Sequence, residues 1–315
     1  MQDLKIATAQ FENRSGDKNY NLNVIETLSQ QAKSKGAQVI SFHELCITGY
    51  TFLQRLSLDQ VDALAEEVPV GESTQRLQAI AKQYQITILA GLLEKESGHY
   101  YNTYICVNEH GLLAKFRKLH PFISEYLSPG NGYTVFKLDG WTCGILICYD
   151  NNIIENVRAT TLLGADIIFA PHVTGCTPSP MPGRDFVDTE LWENRERDPA
   201  ALRMEFDGPK GRGWLMRWLP ARAYDNGVYL VFSNPIGMDD DHLKNGNSMI
   251  FDPFGEIIAE VSSFEDEIAL ANCIPDKLQQ AGGYRYRNAR RPELYSDILG
   301  QNHLSSTQPI WMNKK

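Results

Sequence analysis

A chain of 315 residues, 43 % hydrophobic and 22 % charged, has the composition of a globular protein able to bury a large core. A formal net charge of −9 argues against nonspecific binding to nucleic acid or to an anionic membrane, since both need a basic face. No apolar run approaches the ~18 residues of a membrane span, and the first residues do not read as a secretory signal. The six cysteines (46, 106, 143, 148, 176 and 273) are scattered without a CxxC pair and read as reduced thiols of a cytoplasmic protein. The seven histidines show no metal-ligand spacing, so neither metal nor cofactor is expected.

In chain order, Leu4–Phe11 is an apolar strand, and Asp17 caps a helix reaching Lys35 with Leu22, Ile25, Leu28 and Ala32 at helical spacing. Gln38–His43 is a strand that ends at Glu44. A helix over Thr74–Tyr84 leads to strand Ile86–Leu93. Tyr100–Val107 and Leu112–Phe116 form a hairpin around Glu109-His-Gly111, and Thr134–Leu138 and Trp141–Cys148 form another around Asp139-Gly140. Helix Ile153–Leu163 and strand Asp166–Ala170 follow, then helix Trp214–Asn226 and strand Val228–Ser233. Ser248–Phe251 and Glu256–Glu260 flank Asp252-Pro-Phe-Gly255, and Glu267–Cys273 is the last strand. Helices and strands alternate without a linker between two cores, which implies one α/β domain.

Two stretches break the rhythm. Gly175–Gly213 is a long loop rich in Pro, Gly and charge, carrying Glu190, Trp192, Glu193, Arg195 and, just beyond it, Trp214. Loops of this length are either lids or surface decoration, and the sequence supports both readings. The tail after Pro275, with Tyr284-Arg-Tyr-Arg287, reads as an oligomer contact or as a loose terminus.

Three reactive side chains stand at or just past strand ends: Glu44, Lys118 and Cys148. In open α/β sheets the carboxyl ends of strands are where chemistry is placed. A free thiol is only a few per cent thiolate near neutral pH, so a neighbouring carboxylate is needed to take its proton during attack. An ammonium then stabilises both the thiolate and the oxyanion of an attacked carbonyl, and the Tyr149 amide, at a sharp turn after Cys148, is a second oxyanion donor. Each residue also has an ordinary reading: a buried core cysteine, and surface charges at strand ends.

The words around these residues resemble the nitrilase (carbon–nitrogen hydrolase) superfamily. They are Ser41-Phe-His-Glu-Leu45, Lys115-Phe-Arg-Lys-Leu-His120 and Ile147-Cys-Tyr-Asp-Asn-Asn-Ile-Ile-Glu-Asn-Val-Arg158. Gly49-Tyr50, Ala221-Arg-Ala223, Asn226-Gly227, Ser233-Asn234, Gly246-Asn-Ser248 and Asp252-Pro-Phe-Gly255 support it in the family's order. The resemblance implies a four-layer α-β-β-α sandwich over residues 1–276, interrupted by the insert near 175–213, with 277–315 as an extension. It implies Cys148 as nucleophile, Glu44 as general base, Lys118 as oxyanion stabiliser and Glu125 as a second, substrate-positioning glutamate. It also implies a homodimer or higher homo-oligomer. His43 stands where the family carries proline, and is expected to be a packed histidine. Phe122 and His172 are further pocket candidates.

Tyr149-Asp150 after the nucleophile resembles amidase and carbamoyl-hydrolase members, whereas nitrile-cleaving members carry Trp-Glu there. The expected partner is therefore a small amide or N-carbamoyl amine. The competing readings are a nitrilase, a catalytically silent scaffold, and a thiol redox protein, the last without a resolving cysteine close in sequence.

Overall fold

Alternation along β1 (Leu4–Gln10) sets the layers: Leu4 and Ile6 enter one core, while Ala7 and Ala9 enter another. In this computed structural model, which describes residues 1–301, β1 lies in a six-stranded sheet. With it are β2 (Val39–Ser41), β3 (Thr87–Glu96), β4 (His99–Asn108), β5 (Gly111–Arg117) and β14 (Glu267–Cys273), in the order β14-β1-β2-β3-β4-β5. The second sheet joins β6 (Val135–Leu138), β7 (Trp141–Ile145), β8 (Ile167–Pro171), β9 (Tyr229–Ser233), β12 (Met249–Phe251) and β13 (Ile257–Glu260), in the order β13-β12-β9-β8-β7-β6. Each sheet has three parallel central strands, β1-β2-β3 and β7-β8-β9, flanked by antiparallel ones. The carboxyl ends of β2, β7 and β8 are where Glu44, Cys148 and His172 follow.

The sheets face each other. Leu4, Ile6, Val39 and Tyr104 of one share a core with Ile145, Phe169, Val231 and Phe232 of the other. A buried hydroxyl ladder crosses between them: Thr8 Oγ1 donates to the Phe232 carbonyl at 2.7 Å, and Ser233 Oγ lies 2.9 Å from Ser41 Oγ. Such groups stay in a core only when each finds a partner. Helices α1 (Lys18–Ser34), α2 (Leu58–Leu64) and α3 (Glu72–Tyr84) precede β3, and the outer face of the first sheet is covered by α1 and α3, through Leu22, Ile25, Leu77 and Ile80. Asp17 caps α1 by accepting from the Tyr20 amide. The second sheet is covered by the helices that follow β7. The result is the expected four-layer α-β-β-α arrangement.

Several elements differ from the expectation. The strand leading to Cys148 leaves the ladder at Ile145, and helix begins one residue after Cys148, as α4 (Tyr149–Asn152) and α5 (Ile154–Leu162). Trp214–Asn226 is two short helices, α8 (Arg212–Leu215) and α9 (Leu219–Tyr224), because Pro220 lacks an amide hydrogen and fits only a first turn. The hairpin β10 (Ile236–Asp239) and β11 (His242–Asn245) lay hidden in a polar stretch, as did α2. The insert is not a bare loop. It folds into α6 (Thr189–Glu193) and α7 (Pro199–Asp207), each capped by an aspartate, Asp188 and Asp198. Its Cys176, Val187, Trp192, Leu202 and Phe206 form a core of their own with Ile236 and Leu243 of the β10–β11 hairpin. The tail forms α10 (Asp276–Gln280), α11 (Gly282–Asn288) and α12 (Ser296–Leu299); residues 302–315 of the expected extension lie outside the described residues.

Candidate active site

Glu44 reaches its position because the chain turns hard after β2. Leu45 has φ 48°, and its backbone packs against β3 where only glycine fits: a Cβ on Gly91 would lie 2.3 Å from the Leu45 nitrogen. Lys118 is the first residue after β5. Its amide donates to the Asn102 carbonyl at 2.9 Å, and its own carbonyl accepts from Gly130 at 2.8 Å. The two side chains meet in the interior, with Lys118 Nζ 2.6 Å from Glu44 Oε1 and neither side chain more than 1 % exposed.

Two more donors hold the carboxylate. Asn102 Nδ2 donates to Glu44 Oε1 at 2.6 Å, and the Val173 amide donates to Oε2 at 3.2 Å. Asn102 thus fixes both partners of the ion pair, its backbone holding one and its side chain the other. Sequence reading missed it, although an asparagine inside an apolar strand is a signal that a buried polar group needs it.

Cys148 is 6 % exposed at φ 48°, ψ −109°, with its amide bonded to the Pro171 carbonyl at 2.8 Å. Its thiol feels the Glu44 carboxyl and the Val173 backbone, the same two groups that are bonded to each other at 3.2 Å. Burial, and then the Glu44 charge, push the thiol up to about 12, with Lys118 pulling the other way. Burial alone would lower the Lys118 ammonium; Glu44, Cys148 and Asp150 outweigh it and raise it above its ordinary 10.5. The resting site is therefore a neutral thiol against a carboxylate–ammonium pair.

Asp150 clamps the turn. Fully buried, it accepts from the amides of Leu119 (3.2 Å) and His120 (3.0 Å), His120 Nδ1 (2.9 Å) and the Ile147 amide (3.3 Å). One carboxylate so ties the segment after Lys118 to the segment around Cys148. Tyr149 is 37 % exposed and sets its ring edge-on to Phe122 at 5.7 Å. Phe122 in turn lies 4.8 Å beneath Lys118 Nζ, and the Tyr50 ring lies 5.3 Å from the same nitrogen.

The remaining expected residues separate. His172 is fully buried between Phe232 (4.9 Å) and Trp218 (5.5 Å), and burial followed by Lys118 drives it well below the usual histidine range. It packs behind the turn that follows Cys148, its Nε2 3.3 Å from Asn151 Nδ2, as a neutral ring. Glu125 is exposed on the turn after Ile123, whose side chain packs with Tyr50 and Val173. His43 is the packed histidine expected: its Nε2 pairs with Asn13 Oδ1 at 3.1 Å, its ring lies 4.6 Å from Phe11, and burial lowers it to about 3.

The carbon–nitrogen hydrolase family model matches residues 5–282. The chain belongs to the carbon–nitrogen hydrolase family. Among its relatives is a nitrilase of Pyrococcus abyssi, 29 % identical over 85 % of this chain and 88 % of that one. Another is an (R)-stereoselective amidase of a Pseudomonas species, 30 % identical over 83 % of this chain and 82 % of the relative. A solved structure of the amidase from Nesterenkonia sp. AN1 in complex with acrylamide superposes with a TM-score of 0.69 at 23 % identity, covering 93 % of this chain and 96 % of that one. That likeness is one of fold. Carbon–nitrogen hydrolase membership makes the chain an enzyme of C–N bond cleavage, and no helix among the described residues is long and apolar enough to cross a membrane.

Proposed function

We propose that this hydrolase cleaves the C–N bond of a small amide or N-carbamoyl amine through a thioester on Cys148. One observation carries the reading: a buried carboxylate–ammonium pair, Lys118 Nζ 2.6 Å from Glu44 Oε1, whose charges both act on the buried Cys148 thiol.

In this mechanism Cys148 Sγ bonds to the carbonyl carbon while its proton passes to Glu44. The oxyanion that forms is held by the Lys118 ammonium and the Tyr149 amide. The intermediate collapses, the C–N bond breaks, and Glu44 protonates the departing ammonia or amine. Glu44 then takes a proton from water, whose oxygen attacks the thioester; the C–S bond breaks and the sulfur recovers its proton. An N-carbamoyl amine offers the same carbonyl, flanked by nitrogen on both sides. Asn102 and Asp150 act as positioning residues, and Glu125, on the exposed turn after Lys118, orients the substrate. Phe122 supplies apolar wall beneath the Lys118 ammonium, and His172 supports the nucleophile turn from behind.

Ammonia release across amides, N-carbamoyl compounds and nitriles is the test. Turnover of amides or carbamoyl compounds with weak turnover of nitriles is the expected result. A preference for nitriles over their own amides would establish the nitrilase reading, and reduction of a disulfide without ammonia release would establish a redox protein.

The six free cysteines, all buried, support a reduced cytoplasmic setting. We also propose a homodimer through α5, α9 and α11. Arg158 donates to the Asp225 carbonyl and Tyr224 meets Tyr286, bringing these helices together, and Ile154, Leu163 and Tyr224 leave 58, 53 and 43 % of their surfaces exposed. Light scattering should give twice the chain mass; a monomer at micromolar concentration would refute it.

A further inference from the structure

One buried cation has no task in this chemistry. Lys244, on β11, is 1 % exposed, and its ammonium makes no hydrogen bond or ion pair with any described residue. Lysine is almost never fully buried without a partner, because the uncompensated charge is expensive. A chain that keeps one there has a use for it.

The hairpin register says where it points. Asp239 pairs with His242 and Gly237 with Lys244, so Lys244 shares a face with Asp239, while Leu243 faces the other way into the insert core. The Asp239 face looks toward the site. Asp239 accepts from Thr51 Oγ1 at 2.5 Å, the Thr51 amide at 2.9 Å, and the Tyr50 amide at 3.3 Å. Those donors occupy its oxygens, and it forms no ion pair with Lys244. Burial lowers the Lys244 ammonium, against the pull of Asp239, Cys176 and Cys148, so the nucleophile is within electrostatic reach of the lysine.

A second unused donor stands nearby. The Tyr50 hydroxyl is buried without a hydrogen-bond partner, and it is close enough to Glu44, Cys148 and Asp239 that their charges add to the burial that raises it. Two unspent donors near one thiol, one of them charged, form a recognition site for an anion. One ammonium and one phenol match the two oxygens and single charge of a carboxylate; a phosphate would call for more positive charge.

We propose that Lys244, with the Tyr50 hydroxyl, receives a carboxylate at the far end of the substrate, so that the preferred substrates are short monoamides of dicarboxylic acids or N-carbamoyl amino acids. This rests on the amide-hydrolase reading above and names its substrate class. Lys244 is a specificity residue, and the bond-breaking steps remain those of Cys148, Glu44 and Lys118.

The test compares kcat/KM for malonamate, succinamate and glutaramate with that for the neutral amide of equal length, in the wild type and in Lys244→Met and Lys244→Gln. The wild type should prefer the best carboxylated amide by about tenfold or more, chiefly through KM. In either variant that preference ratio should fall about tenfold, and Lys244→Arg should retain part of it. Thermal melts show which variants are folded, and the ratio is read on those. A preference ratio unchanged by removing the charge, or a wild type that favours the neutral amides, overturns the role of Lys244 while leaving amide hydrolysis standing. Failure of the wild type to release ammonia from any of these amides or from N-carbamoyl amino acids of matching length overturns the amide-hydrolase reading itself, and this inference with it.

Discussion

Cys148 occupies φ 48°, ψ −109°, a region an L side chain enters only when its surroundings force it. The bond from its amide to Pro171, the Asp150 clamp and the start of α4 supply that force. The strain presents the thiol to Glu44 and frees the following amide, but burial keeps the thiol protonated. Its pKa is raised, so the neutral form persists through the physiological range and ionises only as pH climbs toward about 12. Ultraviolet thiolate absorbance, taken as wild type minus Cys148→Ala, should therefore be absent at about pH 7–8 and appear only above about pH 10. A difference signal already present near neutrality would mean a preformed thiolate and would remove the need for Glu44 as base. The three reactive residues were legible in the sequence because reactive types stood at strand ends inside recognisable words. The positioning roles of Asn102 and Asp150 were not, since Asn102 joins Lys118, 16 residues away, and Asp150 joins Leu119 and His120, 31 and 30 residues away, and only the fold brings these near.

At the scale of elements, Lys118 is aimed by a network one strand residue earlier. Glu94 on β3 is fully buried, and it accepts from Arg117 Nη2 at 2.7 Å, Lys115 Nζ at 2.6 Å and Thr103 Oγ1 at 2.6 Å. Burial works against its carboxylate, but Arg117, Lys115 and Thr103 overcome this and lower its pKa. The network locks β5 to β3 across β4 immediately before Lys118. Glu94→Ala should cost about 2–3 kcal/mol in denaturant unfolding, less than a wholly enclosed pair because Lys115 and Arg117 reach solvent. It should also reduce kcat by loosening Lys118. A loss under about 0.5 kcal/mol with unchanged kcat would show that the network is decorative. Strands and hairpins were readable from period-two patterns and from turns such as Asp139-Gly140, where both residues have positive φ. The insert was not, because α6 and α7 are short, polar and held by aspartate caps and a private core.

For the whole molecule, the packed layers bury titratable rings that solvent would otherwise charge. His43 falls to about 3 and His172 well below its ordinary value, both because burial disfavours the cation. With folded pKa values depressed below the unfolded ~6.5, these residues contribute stability above about pH 6.5 and withdraw it as pH falls toward the folded values. Thermal melts should show Tm declining between about pH 6.5 and 5, before most carboxylates titrate, and His43→Gln should flatten the slope. A Tm flat over that window would mean the rings are reached by water in the folded state. The layered fold itself was legible, since alternating helices and strands without a linker allow few other arrangements. What each sheet edge contributes to substrate choice was not, because Lys244 and Tyr50 converge from hairpins and turns distant in sequence.

The central claim is that acyl transfer runs through the Cys148 sulfur. Ammonia release by purified Cys148→Ala, beside wild type on the best amide substrate, tests it most directly. The side chain loses one sulfur from a site held by Asp150 and Glu44, so the variant should fold with a melt close to wild type. Its kcat should fall by about four orders of magnitude or more. A folded Cys148→Ala protein that releases ammonia at the wild-type rate would contradict the account.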